Sequence, residues 1–281
     1  MIGPIDVMHS AILRWHILTG GLRCAPDFLL IGAQRSGSTS LFEAIASHPR
    51  VMRPRMKELH NLDERDASRA RARVGLPLVV SRAATSVLSG SRKLTGEATP
   101  MYLFHPEVPA RTAHLFPEAK LIAVLRHPMD RAWSHYRHSV RLGFESEPFE
   151  RALDLEGARL GAAPVRTLPG RRDELWPLRD WSYASRGRYS EQLERWRRHV
   201  DPSQMLVLYF DDLVSDPAGP IDRICSFLGL EPSPAVTLRR LNAGPERAEP
   251  PASARRRFAA LVEQEVVALE RLLGVVPAWS V

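Results

Sequence analysis

The sequence has 281 residues, 44% of them hydrophobic and 25% charged, which is the usual balance of a globular protein and excludes a wholly disordered chain. The net charge is +7, and nearly all basic residues are arginine because only Lys57, Lys93 and Lys120 are lysine. This charge favours an anionic ligand. The arginines are spread along the chain without forming a basic tail, which argues against nucleic-acid binding.

The chain begins with a short apolar segment, VMHSAILRWHILTG, which is interrupted by Arg14 and two histidines. It is too short to span a membrane, and no clear signal-peptide cleavage site follows it. We therefore predict an N-terminal extension with a short helix over residues 1–26, a single domain over residues 27–281, no transmembrane segment and a cytoplasmic location. Contact of this helix with a membrane surface is the alternative to its packing on the core.

Three short runs of apolar residues are typical of strands: Phe28–Ile31, Leu121–Leu125 and Met205–Phe210. Each run is continuous rather than alternating, as in strands that are buried on both faces of a parallel sheet. Helical patterns separate the runs, so right-handed βαβ connections are expected. The sequence thus predicts an α/β fold in three layers, with a P-loop-like central parallel sheet flanked by helices.

Helical periodicity is clearest in two segments. The segment RYSEQLERWRRHV has an apolar face made of Tyr189, Leu193, Trp196 and Val200. A long last helix is predicted to end at Leu273, with Ser253 as its N-cap. Residues 63–92 and 156–182 lack sustained periodicity, and we expect them to be excursions over the sheet edge or functional lids.

The segment Phe28–Phe42, FLLIGAQRSGSTSLF, combines a strand, a glycine-containing turn and the start of a helix. Gly32 and Gly37 have the spacing of an ATP-binding phosphate loop. Ser38 stands where such a loop carries its lysine, and the nearest cation is Arg35, inside the loop. The segment therefore predicts a phosphate-binding loop of an unusual kind.

A nucleotide kinase also needs an acidic residue at the end of a second strand to help hold Mg²⁺. The candidate strand Leu121–Leu125 is followed by Arg126 instead, and a cation there attracts a phosphate and repels a metal. A loop that binds a phosphate ester without a metal therefore fits the sequence better. The backbone N–H groups and hydroxyls of residues 36–39, the dipole of the following helix and the Arg35 charge would hold the anion.

The segment GAQRSGSTSLF resembles the 5′-phosphosulfate loop of sulfotransferases that use 3′-phosphoadenosine-5′-phosphosulfate (PAPS). The usual core of that loop is Lys-(Ser/Thr)-Gly-Thr-Thr, and the matching residues here are Arg35, Ser36, Gly37, Ser38 and Thr39. A second signature of the family is a strand that ends in Arg, followed by a helix that bears Ser. The segment LIAVLRHPMDRAWSHYRH matches it with Arg126 and Ser134, which the resemblance assigns to the 3′-phosphate.

The spacing of this second motif has a physical sense. Pro128 suits the first turn of a helix, and Asp130 complements the helix N-terminus. Ser134 would then lie more than one turn into the helix and face the strand end where Arg126 emerges. The buried face of this helix is predicted to consist of Trp133, Tyr136 and Val140.

The resemblance extends over about residues 27–230 and is greatest to the heparan-sulfate sulfotransferases. KELHNL, GEATPMYL and the segment from GRYSEQLERW to MLVLYF each match a segment of that family. Tyr189, in the family's Gly-x-Tyr pattern, is assigned to co-substrate binding by this resemblance. The basic loop that often closes over the co-substrate has no clear match, and Arg247 is a weak candidate for its role.

In-line sulfuryl transfer needs a base for the acceptor proton and positive charge near the sulfuryl and leaving-phosphate oxygens. The resemblance assigns the base to Glu58, in KELHNL, while His60 is either a competing base or an orienting partner. Arg35 replaces the family's lysine. Because an arginine hardly deprotonates, we expect Arg35 to act through its charge, unless part of the lysine's role passes to Lys57.

No metal site is expected. His135 and His138 are three residues apart on the predicted helix, but no carboxylate or cysteine at ligand spacing completes a site. Cys24 and Cys225 also lack metal or redox spacing, and the apolar neighbours of Cys225 predict a buried structural thiol.

The sequence therefore predicts a PAPS-dependent, metal-independent sulfotransferase. Its acceptor would be a hydroxyl or amine of a saccharide, a glycolipid or another hydroxylated metabolite. A metal-dependent nucleotide kinase on a related P-loop fold is one alternative, and a non-catalytic nucleotide- or glycan-binding relative is another. The oligomeric state is left open.

Overall fold

The structure of the protein is a computed structural model. It describes residues 20–54, 58–63, 68, 71–161, 176–239 and 249–279. The predicted N-terminal helix lies almost entirely outside the described residues, and the division of the chain at residue 26 stays a prediction.

A parallel sheet of five strands forms the centre of the fold, in the order β2-β3-β1-β4-β5. The three predicted strands are β1, β4 and β5, although Phe210 begins a helix rather than ending β5. The strands are β1 (Phe28–Gly32), β2 (Val51–Met52), β3 (Leu94–Ala98), β4 (Lys120–Leu125) and β5 (Met205–Tyr209).

Helices connect the strands in the described part of the chain. They are α1 (Ser38–Ala46), α2 (Val79–Leu88), α3 (Val108–Leu115), α4 (Pro128–Arg141), α5 (Phe149–Gly161), α6 (Trp176–Asp180), α7 (Tyr189–Arg197), α8 (Phe210–Ser215), α9 (Ala218–Leu228) and α10 (Ala252–Leu273).

The sheet separates two apolar cores because successive residues of a strand point to opposite faces. Leu29 and Ile31 of β1 pack with residues of α3, α4, α5, α7 and α10. Phe28 and Leu30 pack on the other face with residues of α1, α8 and α9. The structure thus confirms a three-layer α/β fold around a parallel sheet.

Two helix predictions need correction. Val140 was predicted to face the core, but it is 44% exposed, and the inward face of α4 carries Ala132, His135 and Ser139 instead. Ser253 is not the N-cap of α10, because that position is taken by Pro251. The Ser253 hydroxyl instead donates to Oε1 of Glu150 at 2.6 Å and so ties α10 to α5.

The segments without clear periodicity contain ordered elements. Residues 63–92 include α2 and a 3-10 turn over Arg71–Arg73, and residues 156–182 include the end of α5 and all of α6. Cys24 and Cys225 are both buried, which confirms the prediction for Cys225. Among the described residues, no helix combines the length and apolarity needed to cross a membrane.

Candidate functional site

The predicted phosphate-binding residues meet where β1 and β4 end. The Arg35 Nε atom, in the loop after β1, donates to Oγ of Ser134 on α4 at 3.2 Å. Arg126, directly after β4, donates from Nη1 to the carbonyl oxygen of Arg35 at 3.0 Å. Parallel strands bring their carboxyl ends to one edge of the sheet, so two motifs that are 99 residues apart become one site.

The loop after β1 is shaped to hold an anion. Gly37 caps α1 with a left-handed φ of 79°, and a Cβ there would lie 3.2 Å from ring atoms of Phe210, so any other residue would be strained and crowded. Ser36 Oγ is fully buried and has no hydrogen-bond partner among the described residues. Since a buried hydroxyl normally has a partner, this group and the start of α1 suit a bound phosphate.

The same edge has a high density of positive charge. Burial, followed by the charges of Arg141, Arg126 and Arg131, lowers the pKa of the Arg35 guanidinium to about 10. Arg35 still carries its charge at neutral pH. A group of partly buried cations that repel one another is stabilised by an anion bound among them.

Tyr189 lies behind Arg126. Its side chain is fully buried at the start of α7, and its hydroxyl donates to the carbonyl oxygen of Arg126 at 2.8 Å. The guanidinium of Arg126 stacks 4.8 Å from the ring centroid of Phe210. Tyr189 therefore fixes the backbone of Arg126, while a direct contact of Tyr189 with a ligand stays a prediction.

The predicted base residues lie on a short segment beside β3. The backbone N–H of Glu58 donates to the carbonyl oxygen of Ala98, the last residue of β3, at 3.1 Å. Glu58 is exposed, whereas His60 is half-buried and its Nδ1 lies 2.6 Å from Oδ2 of Asp63. A carboxylate can only accept a hydrogen bond, so Nδ1 of His60 carries the proton, and Nε2 takes no part in this contact.

Asp63 controls the charge of His60. Burial lowers the pKa of the His60 imidazole, but the hydrogen bond and the charge of Asp63, helped by Glu58 and Glu97, outweigh burial and raise this pKa above its ordinary value. Sequence reasoning missed Asp63, although its position three residues after His60 was a usable signal.

Backbone conformation also singles out these residues. Arg35, Glu58 and His60 are the non-glycine residues with positive φ in the described ranges, at 68°, 55° and 53°. Left-handed conformations are costly for such residues and persist where the surrounding structure requires them, often at functional sites. All three are predicted catalytic residues.

Buried polar groups support the segment that carries Glu58. The Tyr102 hydroxyl accepts hydrogen bonds from the backbone N–H groups of Asn61 and Leu62 at 3.0 and 3.2 Å. Burial raises the pKa of the nearby Glu97 carboxyl to about 7. Tyr102 and Glu97 belong to the GEATPMYL segment, but no pattern in the sequence revealed their contact with the base segment.

Several other sequence predictions concern residues in or near this edge. His135 is buried, and burial, followed by the charges of Arg131 and Arg186, holds its pKa well below the ordinary value. In the described ranges no group of three His, Cys, Asp or Glu side chains is arranged to hold a metal ion. Lys57 and Arg247 lie outside the described residues.

Fold and site together define a P-loop-like α/β protein whose predicted phosphate-binding loop lies among arginines. The sequence model of the sulfotransferase family matches residues 26–234 of this chain. The chain therefore belongs to the sulfotransferase family. This confirms the resemblance found in the sequence and does not favour a nucleotide kinase.

Relatives with curated names include two enzymes of heparan sulfate modification. Mouse heparan sulfate glucosamine 3-O-sulfotransferase 6 is 33% identical over 212 residues, which are 75% of this chain and 54% of that protein. Human bifunctional heparan sulfate N-deacetylase/N-sulfotransferase 3 is 29% identical over 213 residues, 74% of this chain and 22% of that protein. The chain thus spans about half the length of the 3-O-sulfotransferases that it matches, and less of the bifunctional enzymes.

Solved structures share the fold. A sulfotransferase from Alicyclobacillus acidocaldarius superposes with a TM-score of 0.68 at 24% identity, covering 91% of this chain and 98% of that one. The mouse sulfotransferase SULT7A1, complexed with PAP, superposes with a TM-score of 0.51 at 13% identity, covering 94% and 96%.

Proposed function

We propose that this protein is a sulfotransferase that moves a sulfuryl group in line from PAPS to a saccharide, without a metal. The observation that carries the proposal is the contact of Arg35 with Ser134 and Arg126, because it joins the residues predicted for the 5′-phosphosulfate to those predicted for the 3′-phosphate. The buried hydroxyl of Ser36 in this loop, which has no hydrogen-bond partner among the described residues, supports the same ligand.

The two phosphate groups would use different residues. The backbone of residues 36–39, the start of α1 and Arg35 would hold the 5′-phosphosulfate. Arg126 and Ser134 would hold the 3′-phosphate, with Tyr189 fixing the backbone of Arg126. Arg35 carries its charge at neutral pH and would stabilise the leaving phosphate electrostatically.

We assign the base role to Glu58 and the orienting role to His60. A base must be unprotonated at the working pH. Asp63 raises the pKa of His60, which increases the charged share of the imidazole and makes it a poorer base near neutrality.

The acceptor is proposed to be an acidic saccharide. Both relatives described above carry heparan sulfate in their names. Ser134, His138 and Arg141 lie on one face of α4, and Nη2 of Arg141 donates to Nδ1 of His138 at 2.8 Å. The charges of Arg35 and Glu58 both act on His138, so this face lies near the proposed transfer site and would present the charge of Arg141 to an acceptor.

Ligand affinity tests the proposal. The desulfated product 3′-phosphoadenosine 5′-phosphate (PAP) should bind in EDTA more tightly than ATP does with or without Mg²⁺, as measured by calorimetry. If ATP with Mg²⁺ binds more tightly than PAP, the nucleotide kinase alternative would be favoured. Binding of PAP without any transfer to a panel of sugars, glycolipids and phenols would favour a non-catalytic relative. The cytoplasmic location stays a prediction.

A further inference from the structure

Arg186 is a buried cation at the carboxyl edge of the sheet. The sequence did not indicate a role for it. It lies in the 3-10 turn Ser185–Gly187, just before α7, and only 2% of its surface is exposed. Burial, followed by the charge of Arg131, lowers the pKa of its guanidinium to about 9. Arg186 therefore remains charged at neutral pH although it is shielded from water.

The guanidinium of Arg186 joins segments that are far apart in the sequence. Its Nε donates to Oγ of Ser182 at 2.6 Å, and its Nη2 donates to the carbonyl oxygen of Leu178 at 2.7 Å. Nη1 donates to Oε1 of Gln34 at 2.7 Å. The last contact matters most, since Gln34 directly precedes Arg35 in the phosphosulfate loop.

Among the described residues, the charge of Arg186 is not balanced by a direct ion pair. Within the described part of the chain, no carboxylate oxygen lies within 4.0 Å of the guanidinium, and Asp180 and Glu156 act on it only from a greater distance. A buried charge without a paired anion is costly. Such a cost is understandable if the cation serves an anion that binds beside it.

The contact with Arg186 settles the orientation of the Gln34 carboxamide. A guanidinium has donors and no acceptor, so the carboxamide must turn its oxygen toward it. The Nε2 group of Gln34, which has two N–H donors, therefore points away from Arg186. It would then be able to donate to an anion held in the loop.

The sheet order shows which part of the co-substrate this amide would meet. In the order β3-β1-β4, the 3′-phosphate residue Arg126 follows β4, whereas the base segment of Glu58 adjoins β3. Nη2 of Arg186 also lies 2.8 Å from Sδ of Met101, which follows β3. The Arg186 guanidinium thus reaches the β3 side of the loop, where the sulfuryl group would lie, although the turn that carries it lies against Pro128 at the start of α4.

We propose that Arg186 is a positioning residue for sulfuryl transfer, which holds the Gln34 carboxamide so that its Nε2 group donates to a sulfuryl oxygen. The inference rests on the proposed function. It predicts that Arg186 acts through Gln34, so the effects of removing either side chain should not add.

A double-mutant cycle tests this role. In R186Q and in Q34A, kcat/KM for PAPS should fall about tenfold, which corresponds to about 1.4 kcal/mol, and the double variant should lose no more than either single one. PAP lacks the sulfuryl group, so its affinity should change by less than about threefold in each. R186K keeps the charge but not the planar fork, and it should behave like R186Q.

A matched control is Arg23, which is also buried and donates to the carbonyl oxygen of Leu76, far from the loop. R23Q should lower Tm without changing the ratio of PAPS turnover to PAP affinity. Additive losses in the cycle would overturn the inference. A Q34A variant that turns over PAPS like wild type would also overturn it, and this result can be measured even if R186Q fails to fold. A wild-type protein that does not turn over PAPS would instead contradict the proposed function.

Discussion

Replacement of Ser134 by alanine tests the proposed 3′-phosphate site. The Ser134 hydroxyl accepts a hydrogen bond from Nε of Arg35 at 3.2 Å, and we propose that its own proton goes to the 3′-phosphate. A hydrogen bond that involves a charged group contributes about 1.5–3 kcal/mol. The variant should therefore bind PAP about ten- to a hundredfold more weakly, measured by calorimetry in EDTA.

Ser139, on the same helix, provides a matched control. Its hydroxyl is buried and donates to the carbonyl oxygen of Asp180 at 3.0 Å, on the side of α4 that faces the core. Ser139→Ala should lower the free energy of unfolding by about 1 kcal/mol and leave PAP affinity within about twofold of wild type. If Ser134→Ala binds PAP like wild type, or if both variants lose affinity equally, Ser134 is not a phosphate ligand.

Three further predictions concern the base segment and the loop. Glu58→Gln should reduce kcat by about a hundredfold or more, with PAP affinity retained, in a labelled-sulfate transfer assay; unchanged turnover would remove Glu58 as the base. Asp63 raises the pKa of His60, so their pairing stabilises the fold fully below about pH 6.5, the unfolded value, and this stabilisation is lost as pH rises through the folded pKa. In urea unfolding, the loss of stability caused by Asp63→Asn should thus be largest near pH 6 and smaller near pH 8.5. An equal loss of stability at both pH values would contradict the pairing of Asp63 with His60. Gly37→Ala should lower the stability of the fold by about 1–2 kcal/mol because the φ of this residue is left-handed. The loss should exceed that of Gly229→Ala, since Gly229 has a similar φ but open space around it. Equal losses would show that crowding by Phe210 is unimportant.

The sequence was sufficient for the centre of the fold. β1, β4 and β5 are continuous apolar runs because they are covered on both faces, and this pattern is visible without a structure. β2 has two residues, which is too short for any periodicity. β3 reads LTGEA, and all five of its residues are buried although Thr95, Gly96 and Glu97 give it no apolar run.

Some residues of the candidate site could be predicted from the sequence and others could not. Arg35, Arg126 and Ser134 lie in contiguous motifs, where the spacing of residues along a loop or helix has a direct chemical meaning. The contact between Arg186 and Gln34 spans 152 residues and depends on how a 3-10 turn packs on the sheet edge. No local pattern in the sequence encodes that contact, so only the structure could reveal it.

Transfer of labelled sulfuryl from PAPS to an acidic saccharide in the presence of EDTA tests the central claim most directly. We predict transfer by the wild-type protein, loss of transfer in Glu58→Gln with PAP affinity retained, and no change when Mg²⁺ is added. Transfer that requires Mg²⁺, or phosphoryl transfer from ATP in place of sulfuryl transfer from PAPS, would contradict the account.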